Sequence, residues 1–94
     1  MIIGGVHTIS ATPKVLSSDV TPCRAITMRV RSNAVGVVYF GDSSMTGPND
    51  AFGFMEPGES FGYSSFLPAS GMRASEIYLI GEAGDLVHWN GWVA

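Results

Sequence analysis

Between Arg24 and Arg31 the chain alternates without a break: Ile26, Met28 and Val30 fall on one side of an extended backbone, Thr27, Arg29 and Arg31 on the other. Successive side chains of a strand point to opposite faces, so this period of two specifies a strand whose apolar face must be covered. The rest of the chain offers the covering layer. Val37-Val38-Tyr39-Phe40 is apolar on both faces, as expected of a strand covered on both sides in a sandwich or at an oligomer contact. Phe52 to Met55, Phe61 to Tyr63, Glu76 to Gly81 and Leu86 to Val93 are further short strand candidates. No segment of ten or more residues carries a helical period, so the expected fold is all-β, an antiparallel sandwich or jelly-roll-like module of six to eight strands with little or no helix.

Turn chemistry separates these segments. Pro57-Gly58 places proline and then glycine where a type II turn needs a fixed φ followed by a positive one. Glu82-Ala83-Gly84-Asp85 is expected to close a final hairpin, and Ser32-Asn33-Ala34 to reverse the chain after the Arg24 to Arg31 strand. Pro13 interrupts an extended stretch, which suits an edge or arm, so residues 1–16 are expected to form an extended N-terminal arm or edge strand of one domain spanning 1–94. Asp42 to Ala51 and Phe66 to Ala74 lack periodicity and read as the two longest loops.

Ninety-four residues make one small domain that buries roughly 60 to 65% of its unfolded surface, a thin margin of stability. Cys23 is the sole cysteine, so no intrachain disulfide can brace it, and His7 and His88 lack neighbours at metal-ligand spacing. Self-association is the remaining support, and the composition favours it: 46% apolar but only 14% charged, against the roughly 25–35% charge of a typical soluble surface. A net charge of −3 without a basic stripe argues against nucleic acid. No apolar run reaches the ~20 residues of a membrane span, and Met1 to His7 lacks the features of a signal peptide. Use inside the producing cell's cytoplasm is expected, unless the chain leaves as part of a larger particle.

The candidate chemical groups read as structural. Asp19, Asp42, Asp50, Glu56, Glu59, Glu82 and Asp85 all fall in turns, where solvated carboxylates bond backbone amides. Cys23 has no histidine near it in sequence and suits a small buried hydrophobe. His88 reads as a sheet histidine or an interface residue. Trp89 and Trp92, three apart, face opposite sides of a strand and do not form one sugar-stacking platform. The glycine clusters lack the lysine and helix of a phosphate loop. No nucleophile, base and oxyanion set can be assembled, so an enzyme is not expected, nor any cofactor.

Thr21-Pro22-Cys23-Arg24, the Arg24 to Arg31 strand, Val37-Val38-Tyr39-Phe40-Gly41-Asp42-Ser43-Ser44, Glu56-Pro57-Gly58-Glu59-Ser60, and Glu76-Ile77-Tyr78-Leu79-Ile80-Gly81 with Gly84-Asp85 together resemble a pattern in small virion proteins of tailed bacteriophages. The resemblance runs from about Thr21 to Val87, and order and spacing carry it, since each motif alone is ordinary turn and strand grammar. It implies a capsid decoration, or cement, protein that binds the major capsid protein as a homo-oligomer, a trimer before a dimer, located on the virion surface after synthesis in the host cytoplasm. A head-tail or tail accessory protein and a carbohydrate- or receptor-binding module stand as alternatives. Apolar residues in loops need a covering surface, so Met45, Phe66, Leu67 and Met72 are expected as anchors and Arg73 as a polar rim contact, together with the Met1 to His7 arm. The face of Arg29 and Arg31 is the fallback surface.

Overall fold

The computed structural model describes residues 1–64 and 71–94, with the backbone alone at 63 and 64. Eight strands form: β1 (Ile2–Thr8), β2 (Lys14–Val15), β3 (Cys23–Val30), β4 (Val38–Gly41), β5 (Gly53–Met55), β6 (Ser60–Ser64), β7 (Tyr78–Ile80) and β8 (Leu86–Val93). Single 3-10 turns at Pro48–Asp50 and Ala74–Glu76 are the helical elements among the described residues. The strands make two four-stranded sheets, β1-β8-β3-β6 and β2-β7-β4-β5, antiparallel throughout. Strand one pairs with eight, two with seven, three with six and four with five, the winding of a jelly roll.

That winding corrects the expected final hairpin. β7 lies in one sheet, beside β2 and β4, and β8 in the other, between β1 and β3. The turn from Gly81 to Asp85 therefore crosses from layer to layer, as does the link from β3 to β4. Turn residues announce a reversal but do not say whether the returning strand lies beside its predecessor or over it. β4 and β5 are the consecutive strands that do pair side by side.

The alternation of β3 places Ile26, Met28 and Val30 fully inside, with Arg29 exposed. They meet Val38 and Phe40 of β4, Met55 of β5 and Leu79 of β7 across the sandwich, joined by Val87 and Trp89 of β8. Trp92 lies on the opposite face, 41% exposed, as the three-residue spacing required. Cys23 is buried at a register shift at the start of β3, and desolvation raises its thiol pKa above the ordinary value. Phe40 stacks on Phe61 with ring centroids 4.5 Å apart, and Gly53 gives that ring room: a Cβ there would stand 2.7 Å from Phe40 Cζ. Gly58 has φ +85° in the turn after Pro57, the conformation for which glycine is required.

Asp85 also departs from expectation. It is 8% exposed rather than solvated, and its carboxylate accepts hydrogen bonds from Val35 N–H at 2.9 and 3.1 Å and Gly36 N–H at 3.0 Å. The carboxylate thus ties the turn before β8 to the loop before β4, linking the two layers.

Candidate interaction surface

The two outward faces differ. On the β1-β8-β3-β6 sheet, register aligns Ile2, Trp92 and Ala25 at one end, Gly4, Asn90 and Thr27 in the middle, and Val6, His88 and Arg29 beyond. Arg31 Nε donates to His88 Nε2 at 2.8 Å, so this face is polar and basic over half its length.

The face of the other sheet is aromatic. Tyr39 of β4 pairs with Phe54 of β5 on one side and Ile80 of β7 on the other. The rings of Tyr39 and Phe54 are 6.3 Å apart and tilted by 51°, a favourable aromatic arrangement. Phe54 is 58% exposed and Phe52, two residues earlier, 67%. Gly41, Tyr78 and Val15 form the next row. Exposed apolar rings grouped on one face distinguish this surface from the polar one.

Two depressions flank the rings. One, of about 180 Å³, is lined by Phe52, Gly41, Asp42, Met72, Arg73 and Glu76 among others. The second, of about 430 Å³, lies over Tyr39 and Ile80 with Ala11, Val37, Pro48 and Glu82. In the first, Arg73 Nε donates to the Val20 carbonyl at 3.0 Å and its guanidinium stands 3.7 Å from Glu76, which fixes the side chain at the rim. An exposed pair of this kind contributes little stability.

The expected anchors separate here. Met72 and Arg73 line the same depression as Phe52, with Met72 half-buried and held by a two-way backbone bridge to Cys23. Met45 is placed inside instead, 4% exposed, with Sδ 3.1 Å from where a Cβ of Gly41 would be. Its loop packs on itself: Asp42 accepts from the backbone and hydroxyl of Ser44, and Asp50 from the amides of Thr46 and Gly47. Those bonds hold both carboxyls below the ordinary range. Phe66 and Leu67 lie outside the described residues. Phe52, Phe54, Tyr39 and Tyr78 were not among the expected contacts, although the two-residue spacing of Phe52 and Phe54 places both on one face of a strand.

Among the described residues no three His, Cys, Asp or Glu side chains converge as a metal site, and no helix is long and apolar enough to cross a membrane. No protein-family profile matches the chain, and no curated protein matches it. A solved structure from work on Bacillus endospore appendages, described as a novel family of disulfide-linked pili, aligns over 100% of this chain and 87% of its own at 11% identity and a TM-score of 0.46. A likeness at that level carries no argument about function.

Proposed function

We propose that the chain is a virion structural protein: a capsid decoration protein that binds the major capsid protein of a tailed phage as a homo-oligomer. The observation that carries this reading is the aromatic outer face of the β2-β7-β4-β5 sheet, where Phe52 and Phe54 stand in water beside Tyr39. A jelly roll alone does not fix function, and the site has to. A sheet face bearing several exposed rings suits a broad protein surface better than it suits a small substrate. Repeated docking on a lattice needs only weak contacts of about 4 kcal/mol per copy, millimolar alone, because an oligomer engages several coat subunits at once. The residues behind the phage resemblance fit a shared scaffold: Pro57-Gly58 forms a turn, Gly84-Asp85 anchors a loop, and Cys23 fills the core.

The test is co-sedimentation with purified heads of the producing phage assembled without this chain. The wild type should pellet with heads and saturate, whereas Phe52→Ala and Phe54→Ala should each weaken binding by about 1–3 kcal/mol, roughly 5- to 150-fold. Arg29→Ala, on the other sheet, should bind as the wild type does. Absence of wild-type chain from the pellet refutes the reading. The depression joining Phe52 to Asp42, Arg73 and Glu76 favours a second, carbohydrate-binding reading, which binding to a glycan array but not to heads would select.

A further inference from the structure

The edges of the two sheets are treated differently. β2 is two residues long, follows Pro13 and contains Lys14, and β5 is three residues long. Short length, proline and lysine are the usual devices that keep an edge from recruiting another strand. β1 has none of them. It runs seven residues in unbroken register with β8 and contains no Asp, Glu, Lys, Arg or Pro.

The direction of its free backbone groups follows from the ladder. Val93 N–H donates to the Met1 carbonyl at 3.0 Å, and Ile9 N–H to the Asp85 carbonyl at 2.8 Å, so odd-numbered residues face β8. In an antiparallel pair the alternate residues face away. Ile2, Gly4, Val6 and Thr8 therefore present N–H and C=O to the open edge.

We infer that β1 pairs with the β1 of a second copy of this chain, antiparallel about a two-fold axis at Gly5. This inference is independent of any capsid. In that register Ile2 lies opposite Thr8 of the other copy and Gly4 opposite its Val6, so all the outward residues meet one another. Side-chain shape agrees. A Cβ on Gly4 would stand 2.4 Å from the Trp89 carbonyl oxygen, so position 4 admits only glycine and sets no side chain against Val6, 53% exposed, of the other copy. Gly5 meets Gly5 at the axis, where an antiparallel pair without mutual hydrogen bonds brings Cα atoms closest, and no side chains oppose that approach. A strand without formal charge meets its own copy without repulsion. The axis runs perpendicular to the sheet, so both aromatic faces point to the same side and the dimer is bivalent.

Three measurements on the full chain test this. Light scattering at micromolar concentration should give twice the mass of one chain. Val6→Pro removes an outward N–H while leaving the β8 ladder its donors, and should halve the mass with an unchanged circular dichroism spectrum. Ile2→Cys/Thr8→Cys should form disulfide-linked dimers on mild oxidation, joined between positions 2 and 8 in peptide maps, because opposed Cα atoms about 5.5 Å apart lie within disulfide range. Within one chain these positions lie at opposite ends of β1, so that bond is diagnostic of the pairing. A wild-type monomer or trimer, a folded Val6→Pro dimer, or absence of the 2–8 bond overturns the inference. Should Val6→Pro fail to fold, the bond decides alone.

Discussion

Replacing Asp85 with Ala tests whether a single carboxylate ties the layers together. Asp85 is 8% exposed and accepts from two backbone donors, Val35 N–H through both oxygens and Gly36 N–H through one. A hydrogen bond to a charged acceptor contributes about 1.5–3 kcal/mol net, and a donor left unpaired in the interior costs about 1–3 kcal/mol. Val35 is 80% exposed, so water recovers part of its bond, whereas Gly36 lies deeper. Truncation also relieves the desolvated charge. Taking Gly36 near full value and Val35 at a fraction of it gives a loss of about 2–4 kcal/mol for Asp85→Ala. Asp85→Asn keeps one acceptor but turns an amide N–H toward the donors, for about half that loss. At about 4–8 °C per kcal/mol for a domain of this size, the melting point of Asp85→Ala falls by on the order of 10–25 °C. Urea titration followed by tryptophan fluorescence reads the change as a shifted midpoint at constant slope. The exposed turn neighbour Glu82, changed to Ala, should move stability by less than about 0.5 kcal/mol. Should Asp85→Ala unfold within about 0.5 kcal/mol of the wild type, the carboxylate holds nothing and the reasoning fails.

Acid should destabilise the fold in two stages. Burial lowers the pKa of His7 more than its bond with the Leu16 backbone raises it, so the unfolded chain takes the proton first; stability is full above about pH 6.5 and declines as pH falls through that value. Asp19, Asp42 and Asp50, held below 3.8 chiefly by hydrogen bonds, act in the same direction at lower pH, their contribution being lost as they protonate. His7→Phe should flatten the melting-point profile between pH 7 and pH 5 and leave the lower limb, and an unchanged upper limb would count against the histidine. At the glycines, Gly53→Ala drives a methyl into the Phe40 ring and should cost about 1–3 kcal/mol in urea titration, whereas Gly62→Ala, whose nearest neighbour is Thr27 Oγ1 at 4.0 Å, should be tolerated within about 0.5 kcal/mol. Equal effects at the two positions would contradict the packing.

The period of two in β3 was legible because each side chain had one face to occupy, and Ile26, Met28 and Val30 occupy it. The positive φ of Gly58 was legible for a similar reason, since few residues fit a type II turn. Pairing was not, because partners such as Ile2 and Trp92 are separated by almost the whole chain and strand propensity carries no address. Asp85 reads like any turn aspartate until the fold brings Val35 and Gly36 to it. Loop hydrophobes need cover, but the sequence does not say which surface supplies it: Met45 is covered by its own loop, and exposed rings stand on and just before β5. Phe52-Gly53-Phe54-Met55 held the clue, since Gly53 and Met55 face the core and leave the aromatic positions outside.

The nesting of strand pairs sets an order of events at the ribosome. β4 and β5, joined locally, can associate as soon as both have emerged; β3 must await β6, β2 must await β7, and β1 has no partner until β8 is made. Non-local pairing is slow, and an unpaired strand invites the wrong neighbour. β1, a seven-residue edge without charge or proline, is thus also the segment that waits longest with both of its sides open. On a polysome, where nascent copies stand close together at the same stage, that interval is when a strand able to meet its own kind would first encounter one.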